Sequence, residues 1–162
     1  MAASQTITVG ALGVRFVLEA ETSGGGATAF ECAVPAGAVM PAPHSHDGFD
    51  ETNYGLAGVT TFTIDGEQRE LRPGEAVFVP RGAVHAFENR HDSDARFLAV
   101  VTPGVLGPAY FHEVAAVLAD AADGPPDLAA IGEVMRRHGL TPAAPAGREL
   151  PIFVPPGTSV TG

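Results

Sequence analysis

His44 and His46 stand two positions apart, Glu51 follows after a four-residue gap, and His85 completes the set downstream. Three imidazoles and one carboxylate are a donor set that a borderline divalent transition metal takes from a protein. Residues i and i+2 of a strand point to one face, about 6.6 Å apart along it, so His44 and His46 can lean on the same ion. Glu51 would open the next strand, and His85 would enter from a distant strand brought alongside. Taken singly, each residue has an ordinary explanation: two polar strand histidines, a surface carboxylate, a satisfied or exposed imidazole. The four ligands together point to one divalent metal per chain. Such an ion keeps one net positive charge and open positions, polarises a carbonyl or enolate and stabilises developing negative charge. Glu51 is the only ligand of the set that could leave the metal and accept a proton, which makes it the candidate general base. Ligand types alone do not separate Fe, Mn, Ni, Co, Cu and Zn.

The surroundings of these residues form two longer patterns. The first runs Gly37-AVMPAP-His44-Ser-His46-DGFD-Glu51-TNYGLA-Gly58, the second Gly74-EAVFV-Pro80-Arg-Gly82-AV-His85-AFE-Asn89. Together they resemble the two signature motifs of the cupin superfamily, G-x5-H-x-H-x3/4-E-x6-G and G-x5-P-x-G-x2-H-x3-N. The second matches at every fixed position; the first has six residues instead of five between Gly37 and His44. Gly74, Pro80, Gly82 and Asn89 also have local reasons, since Gly and Pro set turns and Asn can bond its own backbone there.

A single-domain cupin with a helical C-terminal extension looks like the quercetin dioxygenase-like group. That resemblance implies ring-cleaving or related oxygenation of a small phenolic or enolic compound, with metal held by His44, His46, Glu51 and His85. The same ligand set in the superfamily also serves isomerases, lyases, decarboxylases and non-catalytic sugar or small-molecule binders, so fold and ligands do not fix the reaction. A metal-dependent enzyme and a binding or sensing module therefore both stand.

The elements that must position these residues read as an all-β barrel. Short β-rich runs recur between turn signals: Thr6–Val9, Val14–Leu18, Thr28–Val34, Thr60–Ile64, Gln68–Leu71, Ala76–Pro80, His85–Asn89 and Arg96–Thr102. Pro41-Ala42-Pro43 forces an extended approach to His44, and Asp65-Gly66 signals a type I′ hairpin. About ten strands closing into a double-stranded β-helix, or jelly roll, over residues 1–102 is the expected fold. Residues 103–140 change period: Pro108–Ala122 and Asp127–His138 carry apolar residues at helical spacing, and Gly139 supplies a stop. This pair of short helices is expected on the outside of the barrel, with closure of its mouth as the alternative, and His112 and His138 read as surface histidines. Residues 141–162 form a Pro-rich tail whose apolar run, Leu150–Val154, offers an edge strand for a neighbouring subunit; a homodimer is expected.

Strand alternation predicts the pocket. From Glu51 the inward positions are Asn53 and Gly55, and from His85 it is Phe87. Gly55 would widen the cavity beside the metal or mark a bulge. Tyr54 and Leu56 should face packing between layers. Phe49 is placed at the mouth or as a cap on the sheet, and Phe87 either touches substrate or packs the core.

The remaining composition narrows the partners. A length of 162 residues with 45% hydrophobic content suits a single domain with a full core. There is no apolar run long enough to span a membrane and no signal-peptide pattern at the N-terminus. Net charge is −10, and the basic residues are all Arg, so nucleic acid and anionic membranes would be repelled. The single cysteine, Cys32, cannot form an internal disulfide and reads as a small core residue, which fits a cytoplasmic setting. No Ser-His-Asp set, phosphate loop or Cys pair competes with the histidine site. A small molecule is the expected partner.

Overall fold

The computed structural model describes residues 5–40, 42–121 and 124–143. Leu150–Val154 and Pro41 lie outside the described residues. In chain order the elements are β1 (Ile7–Val9), β2 (Leu12–Leu18), α1 (Ala20–Ser23), β3 (Thr28–Val34), β4 (His44–His46), β5 (Asp50–Ala57) and β6 (Thr60–Ile64). They continue with β7 (Glu67–Leu71), β8 (Ala76–Val79), β9 (His85–Glu88), β10 (Ala95–Thr102), α2 (Pro108–Asp120), α3 (Leu128–Arg137) and β11 (Leu140–Pro142).

Two antiparallel sheets face each other, as the all-β reading requires. The larger has the order β1-β2-β3-β10-β5-β8 and the smaller β11-β4-β9-β6-β7. Alternating inward residues meet between them. Phe62 of β6 and Phe87 of β9 pack on Phe97 of β10 from the opposite sheet, with ring centroids 5.3 and 5.2 Å from it. The hairpin between β6 and β7 has Asp65 at φ 47° and Gly66 at φ 84°, the positive angles a type I′ turn demands. The Asp65 side chain also accepts a hydrogen bond from the Val84 N–H at 2.9 Å, which ties this turn to the approach of β9.

The C-terminal helices depart from the expected outer position. Phe111 of α2 sits edge-on to Phe16 and Phe30, inner-face residues of β2 and β3, at 5.7 and 5.0 Å. Tyr110 and Val114 of α2 and Ile131 and Met135 of α3 line the same cavity as the histidines. The apolar faces of the helices therefore form part of the wall of the barrel's interior. Asp127 caps α3 by accepting from the Ala130 N–H at 2.9 Å, and Gly139 leaves it at φ 76°.

Three further readings are corrected. The segment after Gly139 is not tail at once: β11 returns to β4, with Leu140 opposite His46 and Pro142 opposite His44. Tyr54 is 45% exposed on the outer face instead of lying between layers. His138 is half-buried, its Nε2 2.9 Å from Glu113 Oε1 across the α2–α3 contact, whereas His112 is exposed. Among the described residues no helix is long and apolar enough to cross a membrane.

Candidate metal centre

The strands that carry the histidines are locked together by backbone geometry. β4 is three residues long and His44 faces His85 of β9 as its direct register partner. The Gly82 N–H donates to the His46 carbonyl at 2.8 Å, so the turn before β9 hangs on β4 itself. Gly82 adopts φ 82°, a left-handed conformation that costs a side-chain-bearing residue free energy. Arg81, in the same turn, holds Asp50 with its backbone N–H and Nε on Oδ1 at 2.9 and 3.2 Å and Nη2 on Oδ2 at 2.9 Å. The bonded Arg81 keeps the Asp50 carboxyl down at about 2. This clamp fixes the start of β5, one residue before Glu51. Asn89 closes the second motif structurally: its amide donates to the carbonyls of Val34 and Ser93 at 2.9 and 2.8 Å.

Glu51, His44, His46 and His85 all turn into one cavity, and all are buried. One ligating nitrogen from each histidine lies within 4.8 Å of the others. Glu51 stands just outside that cluster, with Oε2 3.7 Å from His46 Nε2. That is too long for a hydrogen bond. It is slightly wider than the roughly 3–3.4 Å between two donors that share an ion at about 2.0–2.2 Å each.

The imidazoles are prepared as neutral donors. His44 Nδ1 sits 3.1 Å from the Ala42 carbonyl and His85 Nδ1 3.2 Å from the Ala83 carbonyl. A carbonyl only accepts, so each Nδ1 carries the proton and each Nε2 keeps its lone pair, the usual outer support of a metal-binding histidine. His46 has neither ring nitrogen hydrogen-bonded, a costly state for a buried polar ring that a bound cation would relieve. Burial, then the neighbouring His85, lowers His44 to about 3; burial, then His85 and His44, lowers His46 to about 2. Burial raises the Glu51 carboxyl, opposed by His85. In this donor set the residues fit a divalent cation.

The structure sorts the remaining pocket residues. Phe87 lines the cavity and also packs on Phe62 and Phe97. Phe49 is neither at a mouth nor a sheet cap: it is 1% exposed and stacks on the His46 ring at 4.2 Å between centroids, which fixes that imidazole where no hydrogen bond does. Asn53 points inward but lies outside the cavity lining, fully buried; its amide makes no hydrogen bond of full geometry, yet it lies near enough to Glu51 to favour the carboxylate. Gly55 does not widen the cavity. A Cβ there would come within 2.1 Å of the Arg72 carbonyl oxygen, so glycine is needed for backbone to pass backbone. The pairing of β5 with β10 shifts register at this point, between Arg96 and Phe97.

Sequence reasoning missed the cavity's far wall. Its described residues beyond the imidazoles and Glu51 are almost all apolar, and no Arg is among them. Tyr110, Val114, Ile131 and Met135 carried only an amphipathic helical spacing, which says that they are buried but not against what. The space inside is about 70 Å³. For comparison, an apolar void of about 150 Å³ takes up a benzene. Met40 and Met135 line it, and unbranched thioether side chains are the ones best able to re-pack around a ligand.

Residues 30–101 match the family model of the cupin domain. Quercetin 2,3-dioxygenase of Bacillus subtilis (strain 168) is 36% identical over 66 residues, 40% of this chain and 19% of that protein. The tetracenomycin polyketide synthase protein TcmJ of Streptomyces glaucescens is 31% identical over 85 residues, 52% of this chain and 57% of that protein. The crystal structure of a predicted oxalate decarboxylase from Thermotoga maritima superposes with a TM-score of 0.57 at 25% identity, over 62% of this chain and 92% of that one. The chain spans less than two thirds of the length of the curated relatives it matches.

Proposed function

The chain belongs to the cupin superfamily, and on that premise we propose that it is a metal-dependent oxygenase of the dioxygenase type acting on a small phenolic or enolic compound. The observation that carries the proposal is the character of the cavity: three buried imidazoles and one carboxylate in a space whose other described lining residues are mostly apolar. His44, His46, Glu51 and His85 would hold the ion, which when bound supplies Lewis-acid and dioxygen-activating chemistry. The protein's own part is orientation and proton transfer. The carbonyls of Ala42 and Ala83 fix two imidazole tautomers, and the Phe49 ring fixes the third imidazole's plane. Glu51, its proton affinity raised by burial, takes the proton from the substrate's hydroxyl, leaving an enolate or phenolate beside the cationic site.

The apolar lining favours this reading over oxalate or sugar chemistry. A dianion or a polyol would need several donors, and among the described residues no Arg faces the space. The space of about 70 Å³ is smaller than a void that takes up a benzene, so even a single-ring substrate requires Met40 and Met135 to re-pack, and a flavonol requires far more. A homodimer is part of the proposal. Tyr54 and Phe78, 45% and 57% exposed, stand on the outer face of β5 and of β8, the edge strand of its sheet, and an apolar edge of that kind invites a second copy. A cytoplasmic setting suits the buried thiol of Cys32.

The test is oxygen uptake by anaerobically purified, metal-loaded protein against a panel of catechols, phenols and 1,3-diketones. Uptake with a defined oxygenated product supports the reading. Tight binding of a panel member with no oxygen consumption and no transformation would transfer the chain to the binding modules.

A further inference from the structure

Two described residues with polar side chains line the cavity besides the histidines and Glu51: Cys32 of β3 and Tyr110 of α2. Cys32 is a weak donor held in the core. Tyr110 is different. It is 6% exposed, and its hydroxyl makes no hydrogen bond among the described residues. Its ring is gripped edge-on by Phe111 at 5.0 Å and His138 at 5.6 Å. His138 is in turn anchored to Glu113, which also takes Arg137. A buried phenol ordinarily finds a partner for its O–H, and leaving it without one is costly. The ring is thus held in place by its aromatic neighbours while no described residue hydrogen-bonds the hydroxyl.

We propose that Tyr110 is a substrate-anchoring residue, its hydroxyl donating a hydrogen bond to an acceptor oxygen on an otherwise apolar ligand whose other end meets the imidazoles. This rests on the reading of the cavity as a substrate chamber and names the substrate class more narrowly: an apolar body that bears a carbonyl, ether or phenolate oxygen in addition to the reacting hydroxyl. Tyr110 is available as a donor, because burial and then the Glu51 carboxylate both hold its proton on. The C-terminal helices accordingly do more than cover the barrel. Among the described residues that line the cavity, Tyr110 is the one that carries a hydroxyl, and α2 brings it. A site built to bond an oxygen discriminates against an isostere that lacks it.

The chain has two tyrosines and no tryptophan, so Tyr110 can be observed directly. In full-length Tyr54→Phe protein it is the sole tyrosine, and its near-ultraviolet absorption reports hydrogen bonding by the ring hydroxyl. The probes are cyclohexanone and its hydrocarbon isostere methylenecyclohexane, titrated anaerobically by calorimetry and by tyrosine difference absorption. Cyclohexanone should bind roughly 5–10-fold more tightly than methylenecyclohexane, the value of about one net hydrogen bond, and only the ketone should shift the tyrosine band to the red. Tyr110→Phe should erase the preference while keeping metal content and melting temperature. An undiminished preference in Tyr110→Phe, an unshifted tyrosine band at saturating ketone, or failure of the ketone to bind overturns the assignment. Should Tyr110→Phe not fold, the band shift in Tyr54→Phe decides alone. Because no oxygen chemistry is read, a Tyr110-dependent ketone preference in a chain inert toward the phenol panel would end the oxygenase reading and leave this one standing.

Discussion

His44 and His85 are register partners across β4 and β9, and each rests its Nδ1 against the carbonyl two residues before it, Ala42 at 3.1 Å and Ala83 at 3.2 Å. The same local device on two antiparallel strands frees two Nε2 lone pairs for one shared cation. His46 completes the triangle without such a bond, held by Phe49. The account of the site rests on this pre-organisation, since donors locked before the metal arrives cost little to order when it binds.

Glu51 should matter beyond its share of metal affinity. Glu51→Gln keeps the size and one oxygen donor but cannot take up a proton, and three histidines suffice for many catalytic metals. Reloaded to full occupancy, this variant should lose turnover by roughly 10²–10⁴-fold on whichever substrate the panel yields. Near wild-type turnover in metal-replete Glu51→Gln would make Glu51 a ligand only.

Metal-free protein should lose stability on mild acidification. His44 and His46 fold with depressed pKa values of about 3 and about 2, below the usual value of 6.5. Between about pH 6.5 and those values the unfolded chain binds protons that the folded chain refuses, so stability is fully present above about pH 6.5 and falls as pH drops. Glu51 runs the other way, because its raised pKa lets the folded chain hold a proton that the unfolded chain releases. The net uptake on unfolding near pH 5 should therefore lie between about one and two protons. Urea melts in chelator at pH 7, 6 and 5 read it directly; midpoints independent of pH would show that the imidazoles are not held neutral by burial.

Gly55→Ala should destabilise the fold rather than reshape the cavity. The new methyl would meet the Arg72 carbonyl oxygen at 2.1 Å, a backbone atom that cannot rotate away. A loss of about 1–3 kcal/mol or more is expected, with metal content per folded chain unchanged. A variant as stable as wild type but altered in ligand affinity would restore the cavity-widening role.

Phe78→Arg should abolish self-association. It places a charge on the exposed outer face beside Tyr54, at the edge strand of the larger sheet. Light scattering should give about twice the 16.6 kDa chain mass for wild type and the single mass for the variant. A wild-type mass of 16.6 kDa at micromolar concentration would refute the dimer.

Much of this was legible in the residues because it is local. His44, His46, Glu51 and His85 announce themselves by type and spacing, and Asp65-Gly66 by a turn that few other pairs can make. Thr28–Val34 and Thr60–Ile64 are bounded as their composition suggests. What escaped was set by contacts distant in sequence. Gly55 is explained by Arg72, on another stretch of chain. Phe49 reads as a loop aromatic until His46 is seen beneath it. β11 is too short to carry a period, and it forms because β4 has a free edge. Tyr110 shows a helical spacing and nothing else; its meaning depends on which cavity the helix closes.

The most direct test of the central claim is the metal content of anaerobically purified wild type beside that of His85→Ala, His46→Ala and the exposed control His112→Ala. Close to one divalent ion per chain is expected in wild type and in His112→Ala, with occupancy sharply reduced in the other two. Equal metal content in His85→Ala and wild type would contradict the assignment of the site.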